Sequence, residues 1–128
     1  KPGRVLHKYW RFHVSKPVAH YSASYQAGDL LFVSGQVGIS GGSLTDGVEN
    51  QTAQALENVQ GVLAESGLLL ENVVKCTVFM TDIDNFSTIN GIYADAFGDH
   101  RPSRSAIAVK ALPLGALVEI EAIAQIPS

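Results

Sequence analysis

Arg104, Ala106 and Ala108 alternate along one run, a spacing that sets a guanidinium beside small side chains on one face of a strand. Small neighbours leave a cavity, and a permanently charged five-donor fork at its floor suits two-pronged capture of a small carboxylate. The structural alternative for this arginine is a salt bridge to Asp99, Glu119 or Glu121. Glu119 lies on a second alternating run, with Val118, Ile120, Ala122 and Ala124 on its apolar side and Glu119, Glu121 and Ile123 on the other. If residues 103–109 and 117–126 pair as a hairpin about the turn 110–116, Glu119 lands near Arg104. A carboxylate there could hold or deprotonate a water; the plain alternative is solvent exposure on an edge. Ser34-Gly35-Gln36 closes an earlier apolar run, where a hydroxyl and a glycine-permitted turn either present donors to a ligand or only redirect the chain. Asn90 sits inside a helical pattern that asparagine disfavours, so it either faces solvent or has a hydrogen-bonding task. Tyr21 either lines a pocket or packs.

Other reactive types carry less. Cys76, embedded in an apolar run, has the setting of an inert core thiol. His7, His13 and His20 stand six and seven residues apart, spacings that align no two ligands on one face, and no metal site is expected. Phosphate-loop, dinucleotide, zinc-protease and nucleophile-elbow motifs do not occur, so nucleotide cofactors and serine-hydrolase chemistry have no support.

These residues need elements to hold them. The run Leu30-Leu31-Phe32-Val33 between Gly28 and Gly35 suits a strand buried on both faces. A glycine-rich loop follows over residues 38–47. Asp46 and Glu49 then have the spacing of a capping box ahead of a helix of about five turns, in which Val48, Ala55, Leu56, Val59, Val62 and Leu63 keep helical spacing until Gly67. Residues 73–81 form a central strand, with Val74, Cys76, Val78 and Met80 on one side and Val73, Thr77 and Phe79 on the other. Phe86, Ile89, Tyr93 and Phe97 predict a shorter helix ending at Gly98. Strands over 103–109 and 117–126 complete the order, with room for one or two more in the first 28 residues. The class is α+β: two helices share one face of a mixed sheet and leave the other face partly apolar, available to further subunits.

A chain of 128 residues, 46% of them hydrophobic and 16% charged, fits one domain with a core and gives no sign of a linker. Its longest apolar stretches fall far below the roughly 20 residues that cross a bilayer. One cysteine closes no intrachain disulfide, which makes a reducing, cytoplasm-like compartment the expectation. The start at Lys1, without methionine, is compatible with a removed leader. The net charge of −3 hides an asymmetry: Lys1, Arg4, Lys8, Arg11 and Lys16 precede Asp29 without an acid, whereas the remainder holds twelve acids against four cations, a balance of −8. That acidic body argues against nucleic acid as a partner, because such affinity comes from excess Lys and Arg releasing counterions. The basic arm over residues 1–15 reads as a solvated leader or a strip packing on an acidic neighbour.

Taken together, Tyr21-Ser22, the run 32–36, Gln51 through Asn58-Val59, the run 74–79, Phe86 with Asn90 and Tyr93, Arg101-Pro102-Ser103-Arg104-Ser105 and the run 118–124 resemble the Rid family, the reactive intermediate deaminases of YjgF type. The match runs in order over almost the whole chain, with residues 16–128 as a single domain of this type. The resemblance implies a chorismate-mutase-like α+β fold with a mixed six-stranded sheet and two helices on one face. It also implies a homotrimer with a ligand cleft at each subunit interface, and no cofactor. The implied activity is that of a 2-iminobutanoate/2-iminopropanoate deaminase, which hydrolyses enamine or imine acids to 2-oxo acids and ammonia. Carried onto this chain, Arg104 would grip the carboxylate with the Ala106 backbone N–H as second donor, and Glu119 would position the attacking water. Tyr21, Ser34, Gly35 and Asn90 would complete the cleft, partly from an adjoining subunit. Two departures bear on its shape: His20 stands where many members have proline, and Ala106 where many have cysteine. A non-catalytic carboxylate-binding trimer and an endoribonuclease are the competing functions.

Overall fold

The computed structural model describes Pro17 and residues 19–128. The basic arm, with His7 and His13, lies outside the described residues. Strands β1 (Ser24–Ala27) and β2 (Leu30–Val37) lead into a two-stranded ribbon, β3 (Ile39–Ser40) and β4 (Ser43–Leu44). Helix α1 (Gly47–Glu65), strand β5 (Val73–Met80), helix α2 (Phe86–Phe97) and strands β6 (Ser103–Ala108) and β7 (Val118–Gln125) follow. The main sheet has the order β1-β2-β7-β5-β6, and all its pairs are antiparallel except β5–β6.

Among the described residues the sheet therefore has five strands in place of the expected six, because only β1 precedes Asp29; the glycine-rich segment after β2, expected as a loop, folds into its own ribbon about Gly41 and Gly42. Both glycines hold positive φ angles of 63° and 91°. The expected hairpin between β6 and β7 does not form: β5 lies between them. The reason is the 12-residue α2, long enough to carry the chain from the end of β5 back to the same end of a parallel neighbour.

Period-two alternation turns one side chain of each pair toward the helices. Leu31 and Val33 of β2, Cys76, Val78 and Met80 of β5, and Val118, Ile120, Ala122 and Ala124 of β7 are all buried there with Leu56, Val59 and Leu63 of α1 and Ile89, Tyr93 and Phe97 of α2. The opposite face stays open. Phe32 is 41% exposed on it, so β2 is buried on one face and not on both. A register shift between Val73 and Lys75 likewise reverses the expected sides at the start of β5, burying Val73 and exposing Val74.

Asp46 occupies the N-cap of α1 by backbone position, but its side chain makes no capping bond, so the predicted capping box is absent. Polar residues inside α1 do other work. Asn58 Nδ2 donates to the carbonyls of Val37 and Ile39 at 2.9 and 3.0 Å, and Gln51 bonds the Thr45 carbonyl and the Leu117 N–H at 3.1 and 2.8 Å. The helix is thereby tied to the end of β2 and the start of β7, where the open face carries Glu119. Asn58→Ala strands two half-buried carbonyls and is expected to cost about 2 kcal/mol in urea unfolding; a loss below about 0.5 kcal/mol would show that water replaces both bonds.

Candidate functional site

Register determines where Arg104 points. Its strand partner is Cys76, and the next in-register pairs are Ala106 with Val78 and Ala108 with Met80, all on the helix-covered face. Because β6 is the outermost strand, α2 covers that face only partly there, and Arg104 is half-buried. Its guanidinium carbon lies 4.8 Å from the Tyr93 ring centroid and 5.6 Å from that of Phe86, and Nη1 donates to Asn90 Oδ1 at 2.8 Å. Phe86, Asn90 and Tyr93 recur at i, i+4 and i+7, which places all three on one face of α2. Two rings and one amide oxygen thus seat the cation, each cation–π contact being worth about 0.5–2 kcal/mol as water is excluded. The task left open for Asn90 is this one.

No carboxylate pairs with Arg104 among the described residues, so the salt bridge to Asp99, Glu119 or Glu121 is not realised. Beneath it, burial pushes the Cys76 thiol up, and burial with the neighbouring thiol pushes the Tyr93 phenol far above its ordinary value. Both stay neutral, and the Tyr93 hydroxyl has no hydrogen-bond partner among the described residues. The charge of Arg104 is therefore uncompensated from below, while its unused donors border an open cleft of about 440 Å³. Along β6, Val109 N–H donates to the Met80 carbonyl at 2.8 Å; alternation then turns the Ala106 N–H away from β5, toward the sheet edge.

Glu119 belongs to the other face. It pairs with Phe79 and Val37 and is half-buried, whereas the row through Arg104 crosses Cys76 and Ala122, which point into the core. Within one chain the sheet itself separates the two residues, and the proximity inferred from a hairpin is overturned with the hairpin. A bulge between Val33 and Gln36 interrupts the β2–β7 ladder at Ser34 and Gly35, and a Cβ at Gly35 would fall on the Glu119 carboxylate. Glycine there is a notch for that side chain, a role the sequence did not reveal. Burial, and then the charge of Glu121, push the Glu119 carboxyl above the usual range. Ser34 Oγ donates to the Ser22 carbonyl at 2.6 Å, holding the segment of the exposed Tyr21 and His20 against the bulge.

Two half-sites result: Arg104, Asn90 and the Ala106 N–H at the helix-side edge, and Glu119, Gly35, Ser34 and the neighbouring Tyr21 segment around the bulge of β2. Sequence reasoning missed the seat made by Phe86 and Tyr93, although their spacing with Asn90 was the available signal. Among the described residues no cluster of three or more His, Cys, Asp or Glu side chains could hold a metal ion.

A family profile described as endoribonuclease L-PSP matches residues 13–126. The chain belongs to the Rid family, also called YjgF/RutC. Among Rid relatives, a RutC family protein of Aquifex aeolicus is 45% identical over 112 residues, covering 84% of this chain and 90% of that protein. A mouse protein named 2-iminobutanoate/2-iminopropanoate deaminase is 42% identical over 110 residues, covering 84% and 82%. Among solved structures, a putative endoribonuclease of Thermotoga maritima superposes with a TM-score of 0.86 at 42% identity, covering 90% of this chain and 93% of that one. Escherichia coli TdcF with bound serine gives 0.85 at 34% identity, covering 89% and 93%. The Rid fold, α+β with a mixed sheet and two helices, is thus shared with both solved structures. No helix among the described residues is long and apolar enough to cross a membrane.

The raised carboxyl of Glu119 has a testable consequence for stability. An acid whose folded value lies above its unfolded one penalises folding when ionised, and the penalty vanishes below the unfolded value. Glu119→Gln is therefore expected to raise Tm at pH 7, with a gain that shrinks as pH falls through the raised value toward about 4. A gain independent of pH in thermal melts would refute the assignment to this charge.

Proposed function

We propose that this protein is a cofactor-free hydrolase of small 2-imino acids, releasing 2-oxo acids and ammonia. The observation that carries the proposal is Arg104, a cation seated on Tyr93, Phe86 and Asn90, free of any carboxylate among the described residues, and bordering a cleft. A rigid fork with spare donors beside the outward Ala106 N–H holds a carboxylate in a fixed orientation. A protonated imine is already electrophilic, so the remaining task is to deliver water. Glu119, more basic than an ordinary carboxylate, accepts a proton as water adds to the imine carbon and returns it to the nitrogen; the new hydroxyl loses its proton as C=O forms, and the C–N bond breaks to release ammonia. The name of the mouse relative supports this reaction class. The lone buried Cys76 is in keeping with a reducing, cytoplasm-like compartment.

Because Arg104 and Glu119 lie on opposite faces of one sheet, they meet on one substrate only when the open face of one copy meets the cleft edge of another. A homotrimer with three equivalent clefts is part of the proposal, and the apolar open face supports it, with Tyr25, Phe32 and Ile107 exposed by 70, 41 and 45%. The acidic body speaks against RNA cleavage, the activity in the family's older description.

The assay generates 2-iminopropanoate or 2-iminobutanoate with a dehydratase and follows its decay. Arg104→Ala is expected to lower kcat/KM about a hundredfold, as the loss of a bidentate charged contact would. Decay that wild type does not accelerate removes the deaminase; saturable 2-oxo acid binding without turnover would make the protein a carboxylate-binding module instead. The shared site has its own test. Arg104→Ala and Glu119→Gln chains, each inactive alone, unfolded and refolded together in equal amounts, are expected to recover about a quarter of wild-type activity, because mixed trimers carry one intact cleft in three. No recovery, with mixed trimers present, would place both residues in one subunit's site.

A further inference from the structure

The cleft beside Arg104 does not end at that residue. Tyr93, Ala94, Phe97 and Pro102 give it an apolar middle, and His100 and Arg101 line it as well. Arg101 is exposed and has no carboxylate within ion-pair distance among the described residues, although Asp99 is only two positions away. Two residues, Pro102 and Ser103, separate Arg101 from Arg104, so their Cα atoms are at most about 10 Å apart. His100 is fixed by its Nε2 at 2.7 Å from the Val73 carbonyl, an arrangement in which Nε2 donates and Nδ1 is the nitrogen left over. A second cation thus stands across an apolar stretch from the carboxylate anchor. A three-carbon or four-carbon monocarboxylic substrate leaves that second cation without a task.

We propose that this cleft selects dicarboxylic 2-imino acids, the α-carboxylate held by Arg104 and the side-chain carboxylate by Arg101, with the intervening methylenes against Tyr93 and Phe97. The inference rests on the deaminase reading above and names its substrate class. The chemistry is unchanged: water adds to the imine carbon, the C=N bond is replaced by C=O, and ammonia departs, leaving a dicarboxylic 2-oxo acid. Arg101 touches only the distal carboxylate and is a specificity residue.

The experiment compares 2-iminoglutarate, released by an L-glutamate oxidase with catalase present, against 2-iminopropanoate, with the full chain in both cases. Wild type is expected to favour the dicarboxylic imine in kcat/KM. In Arg101→Gln the ratio of the two kcat/KM values falls about tenfold, chiefly through KM, while Arg101→Lys retains part of the preference. 2-Oxoglutarate should accordingly bind wild type more tightly than 2-oxobutanoate, and lose that advantage in Arg101→Gln, a readout independent of turnover. If 2-iminopropanoate is hydrolysed but the ratio stays within about threefold of wild type in Arg101→Gln, this inference is overturned and the deaminase stands. If neither imine is accelerated, the deaminase reading fails too.

Discussion

A guanidinium resting on the faces of two aromatic rings is the contact on which the rest of this protein depends. Tyr93 and Phe86 hold Arg104 by attraction to their π-faces and Asn90 fixes its rotation, so none of the three consumes its charge as a carboxylate would. The same helix face that seats the arginine also buries Ile89 and Phe97 against the sheet. Core packing and cation placement are therefore one event: α2 cannot dock without presenting the seat. Keeping the thiol and phenol beneath neutral preserves the cation's field on its outer side, where an anion can approach.

The sheet divides the chemistry. Its helix-covered face keeps the Arg104 guanidinium at an outer edge, and its open face keeps the Glu119 carboxyl, raised by burial and by its neighbour Glu121. Opposite charges would neutralise if they shared a face within hydrogen-bond reach, and the guanidinium donors would be spent internally. Separation within the chain keeps both available for a third party.

Much of this was legible in the sequence because it followed from periodicity. Helical spacing over residues 86–97 and alternation in 118–124 gave α2 and β7 nearly to the residue. Failures arose where a single residue altered the count. The bulges at Ser34–Gly35 and at Val74 invert faces locally, and alternation alone cannot announce an extra residue. Strand adjacency was also beyond reach: consecutive β6 and β7 looked like a hairpin, and only the parallel pairing of β6 with β5 reveals that a third strand lies between them. Arg104 and Asn90 were found because polar residues stood out against an apolar pattern, whereas Phe86 and Tyr93 blended into it.

The additional residue in β2 carries a consequence for how such a chain can change over time. Deleting it would let the ladder with β7 run unbroken and improve the sheet as a sheet, while closing the recess in which the Glu119 side chain lies. On the proposed hydrolysis, selection for robustness and selection for chemistry pull on that position in contrary directions, so a shortened β2 in a descendant would mark the loss of that activity rather than damage.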